Sequence, residues 1–478
     1  MNQNKLRQNI IYNAVYQVMK LFIPVFTIPY LSRVLAVEQI GINSYTLSII
    51  QVFIIFSFFG INNYGGREIA RTSNLQDRNK QFWSIWLLQL FWTFCSFICF
   101  IVLNNYFFIA YRNIFFIQSF LILINGFEIS WFFIGIEEFK RVVVRNTVIK
   151  IISTLLIFIL IKDQNDFILY IILNVITTLI GNLILMISVR KYISKFSFDF
   201  KLLLIQMKES FLFFVPQIAI LMYTTLDKTI LGALSTMNQV SYYEQSQKFV
   251  RMAITLVTSA GVVIMPRMTN YIKSKEWDKF EQLFEQSFCS VNLISCYTVT
   301  IIMSVSSSFV IWFFGEEYAV VVQLMRITAV IGIFIPLSTM LWNIILIPLN
   351  QEKVAIKSAI YSAVISLSLN LILVSKLGAL GAVITLCFVE FFNFAYRMYY
   401  TNKYYSLSKY QTVLVKNFLI CIGIVIIVNQ LTLTLPATLL TTVIQGALST
   451  LLFSISFIVF KDKFFISIIK KVFNYIKR

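Results

Sequence analysis

The sequence predicts an all-α, polytopic membrane protein with about fourteen transmembrane helices. Of its 478 residues, 58% are hydrophobic and only 13% are charged, and the mean hydropathy is +0.80. A soluble domain carries roughly one quarter charged residues. The apolar runs reach about 20 residues, the length of helix that crosses a hydrocarbon core roughly 30 Å thick. They lack the alternation of transmembrane β-strands, so the spanning elements are helices.

The apolar runs, taken in order, predict the helices and their grouping. Residues 1–204 form an N-terminal lobe of six helices, and residues 205–404 form a C-terminal lobe of six more. Residues 405–478 hold the last two helices and a basic amphipathic tail, KDKFFISIIKKVFNYIKR. The predicted spans lie near 10–35, 40–64, 82–105, 114–137, 147–162, 166–189, 210–234, 239–266, 283–311, 321–348, 355–375, 379–400, 414–432 and 437–460.

The two six-helix lobes are predicted to be parallel repeats. The second helix opens at Gly41 and leaves the membrane at GGREIAR, which contains Arg67. The eighth helix opens at Ser241 and leaves at MPRMTN, which contains Arg267, so that both pairs of landmarks are 200 residues apart. Parallel repeats of this kind are typical of two-lobed transporters, whose substrate site lies between the lobes.

Basic residues fall in alternate loops, which predicts the topology. The loops opposite these clusters hold little more than Arg112, Lys162 and Lys376. By the positive-inside rule, both termini are expected in the cytoplasm of a cell whose inner membrane the chain crosses many times. The net charge of +19 is therefore a signal of topology and of contact with anionic lipid, and no nucleic-acid partner is expected. The clusters are Arg67, Arg71, Arg78 and Lys80; Lys140, Arg141 and Arg145; Arg190, Lys191, Lys195, Lys201 and Lys208; and Lys273, Lys275 and Lys279.

The residue content argues against catalysis. There is no histidine, and the six cysteines lie in apolar runs without a CxxC pair. This removes the usual general base and the commonest metal ligands. No G-x-x-x-x-G-K-[ST] motif is present to bind ATP. The loops are too short for a folded catalytic domain, so we expect a protein that is not an enzyme and that has no catalytic residues, metal or cofactor.

Charged residues inside the apolar runs are the candidate functional residues. Lipid cannot solvate them, so they should face the protein interior or a water-filled cavity. The first, second, seventh and eighth predicted helices lie nearest the axis that relates the two repeats. They hold five bases against the acids Asp227 and Glu244, and this surplus of positive charge predicts a cavity that binds an anion. The candidate cavity residues are Lys20, Arg33, Lys228, Lys248 and Arg251, and the candidate ion-coupling or polar cavity residues are Glu128, Asp227, Glu244 and Glu390.

Two alternatives apply to these charges. The charges could neutralise one another and serve only to hold helices together, as Glu244 and Lys248 would at positions i and i+4. Arg33 and Arg326 lie near helix ends, where their long side chains could instead reach the membrane surface. The adjacent pair Asp227 and Lys228 is open to the same two interpretations.

Six stretches together resemble one protein family. They are ISWFFIGIEEFKRVVVRN (129–146), GREIAR (66–71), YYEQSQKFVR (242–251), VIMPRM (263–268), FFGEEY (313–318) and KLGALGAVITLCFVEF (376–391). They are similar to stretches of the Wzx-type polysaccharide repeat-unit flippases, which belong to the multidrug, oligosaccharidyl-lipid and polysaccharide exporter superfamily. The sequence departs from the family pattern at SYYEQ, where many members have G-Y-Y-S-x, and at Ile134, where glutamine is common.

The resemblance implies a function and partners. Members are taken to flip undecaprenyl-diphosphate-linked oligosaccharides from the inner to the outer leaflet of the bacterial cytoplasmic membrane, for O-antigen, capsule or exopolysaccharide synthesis. The implied mechanism is alternating access of the cavity. The implied partners are this lipid-linked oligosaccharide and membrane lipid, with a polysaccharide polymerase and a chain-length regulator as candidate protein partners.

Three other functions are alternatives to this one. A drug/ion antiporter of the same superfamily should have an acidic cavity, whereas this one is predicted to be basic. A peptidoglycan-precursor flippase would work by nearly the same mechanism. A membrane polysaccharide polymerase, which is an enzyme, would be expected to carry a large outer loop with catalytic residues, and the sequence contains no such loop.

Overall fold

The computed structural model describes residues 3–193, 196–460 and 465, and every regular element in these ranges is a helix. The all-α prediction is confirmed, and the chain is a multi-pass membrane protein. Eleven helical segments of the described residues are long and apolar enough to cross a membrane. The predicted amphipathic tail lies outside the described residues except for Phe465.

The chain forms two compact units, Met1–Gly232 and Ala233–Arg478. The sequence divides it instead at residues 204 and 404, and that scheme of two six-helix repeats and two extra helices stays a prediction. The first unit contains α1 (Gln3–Val34), α2 (Val37–Phe58), α3 (Ile61–Ala70), α4 (Leu75–Phe107), α5 (Arg112–Asn125), α6 (Ser130–Gly135), α7 (Phe139–Leu160), α8 (Phe167–Val189) and nearly all of α9 (Phe200–Leu234).

The second unit is organised around its longest helix, α11, which contacts five others. These are α10, α12, α13, α16 and α17. A short π-helix, Trp342–Leu346, follows α13. The helices of this unit are α10 (Met237–Lys273), α11 (Trp277–Phe314), α12 (Val320–Ala329), α13 (Ile331–Leu341), α14 (Glu352–Leu377), α15 (Ala379–Asn402), α16 (Ser408–Leu431) and α17 (Leu439–Val459).

Three helices outside the eleven apolar spans carry most of the candidate charges. Helices α1, α9 and α10 are 32, 35 and 37 residues long. A span needs about 20 residues, so each of them is long enough to cross the membrane. The predicted total of fourteen spans stays a prediction.

The chain turns a corner between α2 and α3. Phe59 and Gly60 both adopt left-handed backbone angles there, with φ of 45° and 79°. A Cβ atom at Gly60 would collide with the backbone of Ser210 and Phe214 in α9. Glycine is therefore required at this position twice over, by the turn and by the close approach of α9.

A second corner, residues 125–130, joins α5 to α6. The side chain of Gln89 in α4 is fully buried, and its Nε2 donates to the carbonyl oxygens of Asn125 at 2.7 Å and Glu128 at 3.0 Å. Trp86 Nε1 donates to the carbonyl of Gly126 at 3.0 Å. These side chains satisfy carbonyl groups that a continuous helix would have paired internally, which is the condition for irregular backbone at membrane depth.

The two corners bring two of the resembling stretches into contact. Helix α6 carries Trp131, Phe132 and Phe133, each no more than 1% exposed. Trp131 packs so closely on α3 that a Cβ atom at Gly65 would lie 2.7 Å from its ring. Trp131 Nε1 also donates to Gln89 Oε1 at 2.9 Å. The stretches 66–71 and 129–146 therefore belong to one packed structure inside the first unit.

Helix α7 extends further toward the N-terminus than the predicted fifth span. Helix α7 begins at Phe139, whereas the hydropathy pattern places the span at 147–162. Arg145, which the topology argument counts among cytoplasmic loop residues, therefore lies inside the helix. The pattern misses this because a charge lowers hydropathy even where a neighbouring segment pairs with it.

Candidate functional site

A cavity of about 300 Å³ opens in the first unit between α1, α7 and α8. We call it the unit-1 cavity. Its basic lining residues are Lys20 from α1 and Arg145 and Lys150 from α7. Its neutral polar lining includes Tyr16, Asn146, Thr147, Ser153, Asn174, Thr177 and Thr178. The described lining residues include no aspartate or glutamate, so the wall is cationic.

Arg145 is held in place by several contacts across the first unit. Its Nη2 lies 3.0 Å from Glu128 Oε2 and 2.9 Å from Ser130 Oγ, at the corner between α5 and α6. Its Nη1 donates to Asn182 Oδ1 on α8 at 3.0 Å. The Arg145 and Glu128 side chains are only 10% and 20% exposed. The guanidinium thus fastens the corner to the cavity wall and has little freedom to move.

The carboxylate and amide that bind Arg145 are themselves fixed by backbone groups. Ser130 N–H donates to Glu128 Oε1 at 3.0 Å, and Asn182 Nδ2 donates to the carbonyl of Ile124 at 3.0 Å. Because Glu128 offsets the charge of Arg145, the net positive charge of the cavity comes from Lys20 and Lys150. Both side chains are exposed, and both line this one cavity. Two neighbouring ammonium groups of this kind would be stabilised by an anion bound between them.

The predicted cavity residues are spread over both units. Lys20 lines the unit-1 cavity, and Arg33 is exposed in the last turn of α1. Lys228 is half-buried on α9, and Lys248 and Arg251 are half-buried on α10 in the second unit. Arg251 Nε donates to Gln247 Oε1 at 2.7 Å. A role in substrate binding for each of these residues stays a prediction.

The predicted carboxylates occupy different environments. Glu128 forms the salt bridge with Arg145, so its charge is neutralised by a neighbouring side chain. Asp227 is 2% exposed on α9, and Glu390 is 7% exposed on α15. Glu244 is half-buried on α10. Near Asp227, the hydroxyls of Thr229 and Ser48 lie 2.8 Å apart and connect α9 to α2.

Sequence reasoning missed the cavity residues Arg145 and Lys150. The signal that points to Arg145 is Glu128, since a carboxylate at an apolar corner requires a cation and the first bases after it in the chain are residues 140, 141 and 145. Lys150 stands alone in an apolar run, and its face can be assigned only once α1 and α8 are placed beside it.

Comparison with known proteins places this geometry in context. The family described as "Polysaccharide biosynthesis protein" matches residues 6–272. A protein of Shigella dysenteriae named "Putative O-antigen transporter" is 23% identical over 393 residues, covering 82% of this chain and 97% of the relative. A protein of the same name from Escherichia coli (strain K12) is 24% identical over 405 residues, covering 82% and 95%.

Two solved structures share the fold. The lipid II flippase MurJ, in its inward closed conformation, superposes with a TM-score of 0.69 at 16% identity, covering 95% of this chain and 99% of that one. An inward-facing multidrug resistance transporter of the MATE family, within the MOP superfamily, gives a TM-score of 0.61 at 12% identity, covering 83% and 99%. At these identities the likeness concerns the fold alone.

Proposed function

Because the chain belongs to the polysaccharide biosynthesis protein family, we propose that it flips undecaprenyl-diphosphate-linked oligosaccharide repeat units across the bacterial cytoplasmic membrane. The direction is from the inner to the outer leaflet, for the synthesis of a surface polysaccharide. The names of the two O-antigen transporter relatives support this function at the level of the family.

The observation that carries the proposal is the cationic wall of the unit-1 cavity. Lys20 from α1 and Lys150 from α7 both line it, and the described lining offers no carboxylate to either. A diphosphate would offset both charges, and the asparagine, threonine and tyrosine side chains offer hydrogen bonds to sugar hydroxyls. The volume of about 300 Å³ suits a diphosphate and its adjacent sugar, so the rest of the repeat unit would lie outside this cavity.

The proposed mechanism needs no covalent step. A polar head group that enters hydrocarbon loses its hydration, and each hydrogen-bonding group left unpaired costs several kcal/mol. A cavity lined by cations, amides and hydroxyls replaces that hydration while the prenyl chain stays in lipid. Exposure of the cavity first to one side of the membrane and then to the other completes transport.

Within this proposal the other candidate residues keep distinct roles. Arg33, Lys228, Lys248 and Arg251 would provide further positive charge along the path of the diphosphate. Asp227, Glu244 and Glu390 are candidates for coupling to an ion gradient, whereas Glu128 orients Arg145. Both termini would lie in the cytoplasm, and a polymerase and a chain-length regulator would act on the exported product.

A transport assay tests the proposal. Lys20→Gln/Lys150→Gln should slow the flipping of a fluorescent undecaprenyl-diphosphate-linked oligosaccharide in proteoliposomes at least tenfold, at normal protein levels. The control is Lys191→Gln, which removes an exposed base outside the cavity and should leave the rate unchanged. Wild-type transport by the double variant would refute the role of the cavity. Equal transport of a lipid-linked peptidoglycan precursor by the wild-type protein would favour the alternative flippase function.

A further inference from the structure

A second cavity, of about 570 Å³, lies along the outside of α7 and α8 in the first unit. We call it the α7–α8 groove. Glu138, Lys140, Arg141 and Ser188 line one end of it, and Val144, Val148 and Ile184 line its length. Lys140, Val144 and Val148 follow one another at four-residue steps, so they share one face of α7.

The groove is charged at one end and apolar along its length. Val144, Val148 and Ile184 are 44%, 45% and 42% exposed. Only 22% of the apolar stretch of α7 is buried, so much of the surface of this helix is exposed. The distance from Lys140 to Val148 along the helix axis is about 12 Å, at 1.5 Å per residue. An extended hydrocarbon chain fits this shape.

The ionisable side chains that line the basic end, Glu138, Lys140 and Arg141, sum to a net charge of +1. Arg141 is fixed by Tyr192, whose hydroxyl accepts from Arg141 Nε at 2.9 Å and whose ring centre lies 5.2 Å from the guanidinium carbon. Glu138 lies 3.7 Å from Arg141 and offsets one of the two positive charges of Lys140 and Arg141. Arg145 also lines the groove, but Glu128 neutralises it.

We propose that the α7–α8 groove binds one anionic glycerophospholipid of the surrounding membrane. Its phosphodiester, which carries a single negative charge, lies at Lys140 and Arg141, and one acyl chain lies along Val144, Val148 and Ile184. Basic pockets between transmembrane helices suit such head groups. The net charge of one matches a phosphodiester better than a diphosphate, and free phosphate would leave the apolar length unfilled. Since Arg145 and Ile149 line both cavities, the bound lipid would pack against the wall of the unit-1 cavity.

Native mass spectrometry of the purified full-length protein tests this site. With phosphatidylglycerol added, the wild-type protein should retain one lipid, whereas phosphatidylcholine should not be retained. Lys140→Gln/Arg141→Gln should reduce retention of phosphatidylglycerol at least fivefold. The matched control, Lys191→Gln/Lys201→Gln, removes the same charge at exposed positions outside the groove and should behave as wild type.

A second variant tests the apolar part with the charges intact. Val148→Trp should fill the groove and lower retention at least fivefold, while Val102→Trp, at a position on α4 that is 50% exposed, should not. Val148→Trp also decides the matter if the double charge variant fails to fold. Retention of phosphatidylglycerol by both groove variants, or equal retention of phosphatidylcholine, would overturn the proposal. So would displacement of phosphatidylglycerol by equimolar undecaprenyl phosphate, since the groove would then belong to the substrate path.

Discussion

Each of the two compact units contains an arginine inside a helical segment that is long and apolar enough to cross a membrane, and the two arginines are stabilised differently. In the first unit, Arg145 binds the carboxylate of Glu128 at 3.0 Å. In the second unit, Arg326 donates to neutral oxygens only, Ser306 Oγ on α11 at 2.9 Å and Asn429 Oδ1 on α16 at 2.8 Å. Among the described residues, Arg326 forms no ion pair.

The difference separates two uses of a buried cation. The Arg145 pair is neutral overall, so either partner alone would leave an uncompensated charge in the interior. Arg326 keeps its charge and joins α11, α12 and α16 through hydrogen bonds, and the alternative of a side chain that reaches the membrane surface stays a prediction. Removing Arg326 would lose those bonds but would also remove the cost of desolvating a cation. Loss of one charge should therefore lower the stability strongly at the Arg145 site and only slightly at the Arg326 site.

The largest effect is expected from Glu128→Gln. Leaving Arg145 without its carboxylate should lower the free energy of unfolding by about 3–5 kcal/mol. Thermal unfolding of the purified protein and its abundance in membranes measure this loss. Glu128→Gln/Arg145→Gln should recover part of the stability, because no unpaired charge remains.

Glu68→Gln is the control for that experiment. Glu68 also binds arginines, but Arg67 and Arg71 are 44% and 63% exposed. Water can solvate both guanidinium groups after the change, so the loss should stay below about 1 kcal/mol. If Glu128→Gln is no more destabilising than Glu68→Gln, water solvates the charge of Arg145 as well as it solvates Arg67 and Arg71, and the proposed cost of an unpaired charge at Arg145 is wrong.

Gly65→Ala should have an intermediate effect. The added methyl group would lie 2.7 Å from the Trp131 ring in the packed contact of α3 with α6. Overpacking of this kind costs about 1–3 kcal/mol. Gly446→Ala in the second unit is the control, because a Cβ atom there meets nothing within 4 Å. Equal melting temperatures for the two variants would show that the contact between α3 and α6 accommodates the added methyl group without loss of stability.

Arg326→Gln should have the smallest effect. Hydrogen bonds to a charged group contribute about 1.5–3 kcal/mol. Placing arginine in a membrane helix costs up to about 2.5–3.5 kcal/mol on insertion scales, the value for the helix centre. The two contributions nearly cancel, so stability should change by about 1 kcal/mol or less. A loss as large as that of Glu128→Gln would remove the distinction between the two arginines.

These sites show how far the sequence predicts the structure. Length and hydropathy predict the all-α fold. A chain that crosses lipid must pair its backbone N–H and C=O groups internally, and a helix does this within a single segment. The charges of Lys20 and Glu128 mark the region of the unit-1 cavity. Arg145 was assigned to a loop because its partner lies 17 residues away in another segment. Gln89 carries no charge, so its bonds to two carbonyls of the α5–α6 corner become visible only when α4 is in place.

The salt bridge between Glu128 and Arg145 also constrains how the protein is made. The ribosome produces Glu128 first, and its partner emerges 17 residues later. A lone charge released into lipid costs up to about 2.5–3.5 kcal/mol on translocon-based scales, and this cost disappears when the opposite charge arrives. We therefore expect α5, α6 and α7 to leave the translocon together rather than one at a time. Variants that lack one partner should then insert less efficiently and be less abundant in the membrane, in addition to being less stable once inserted.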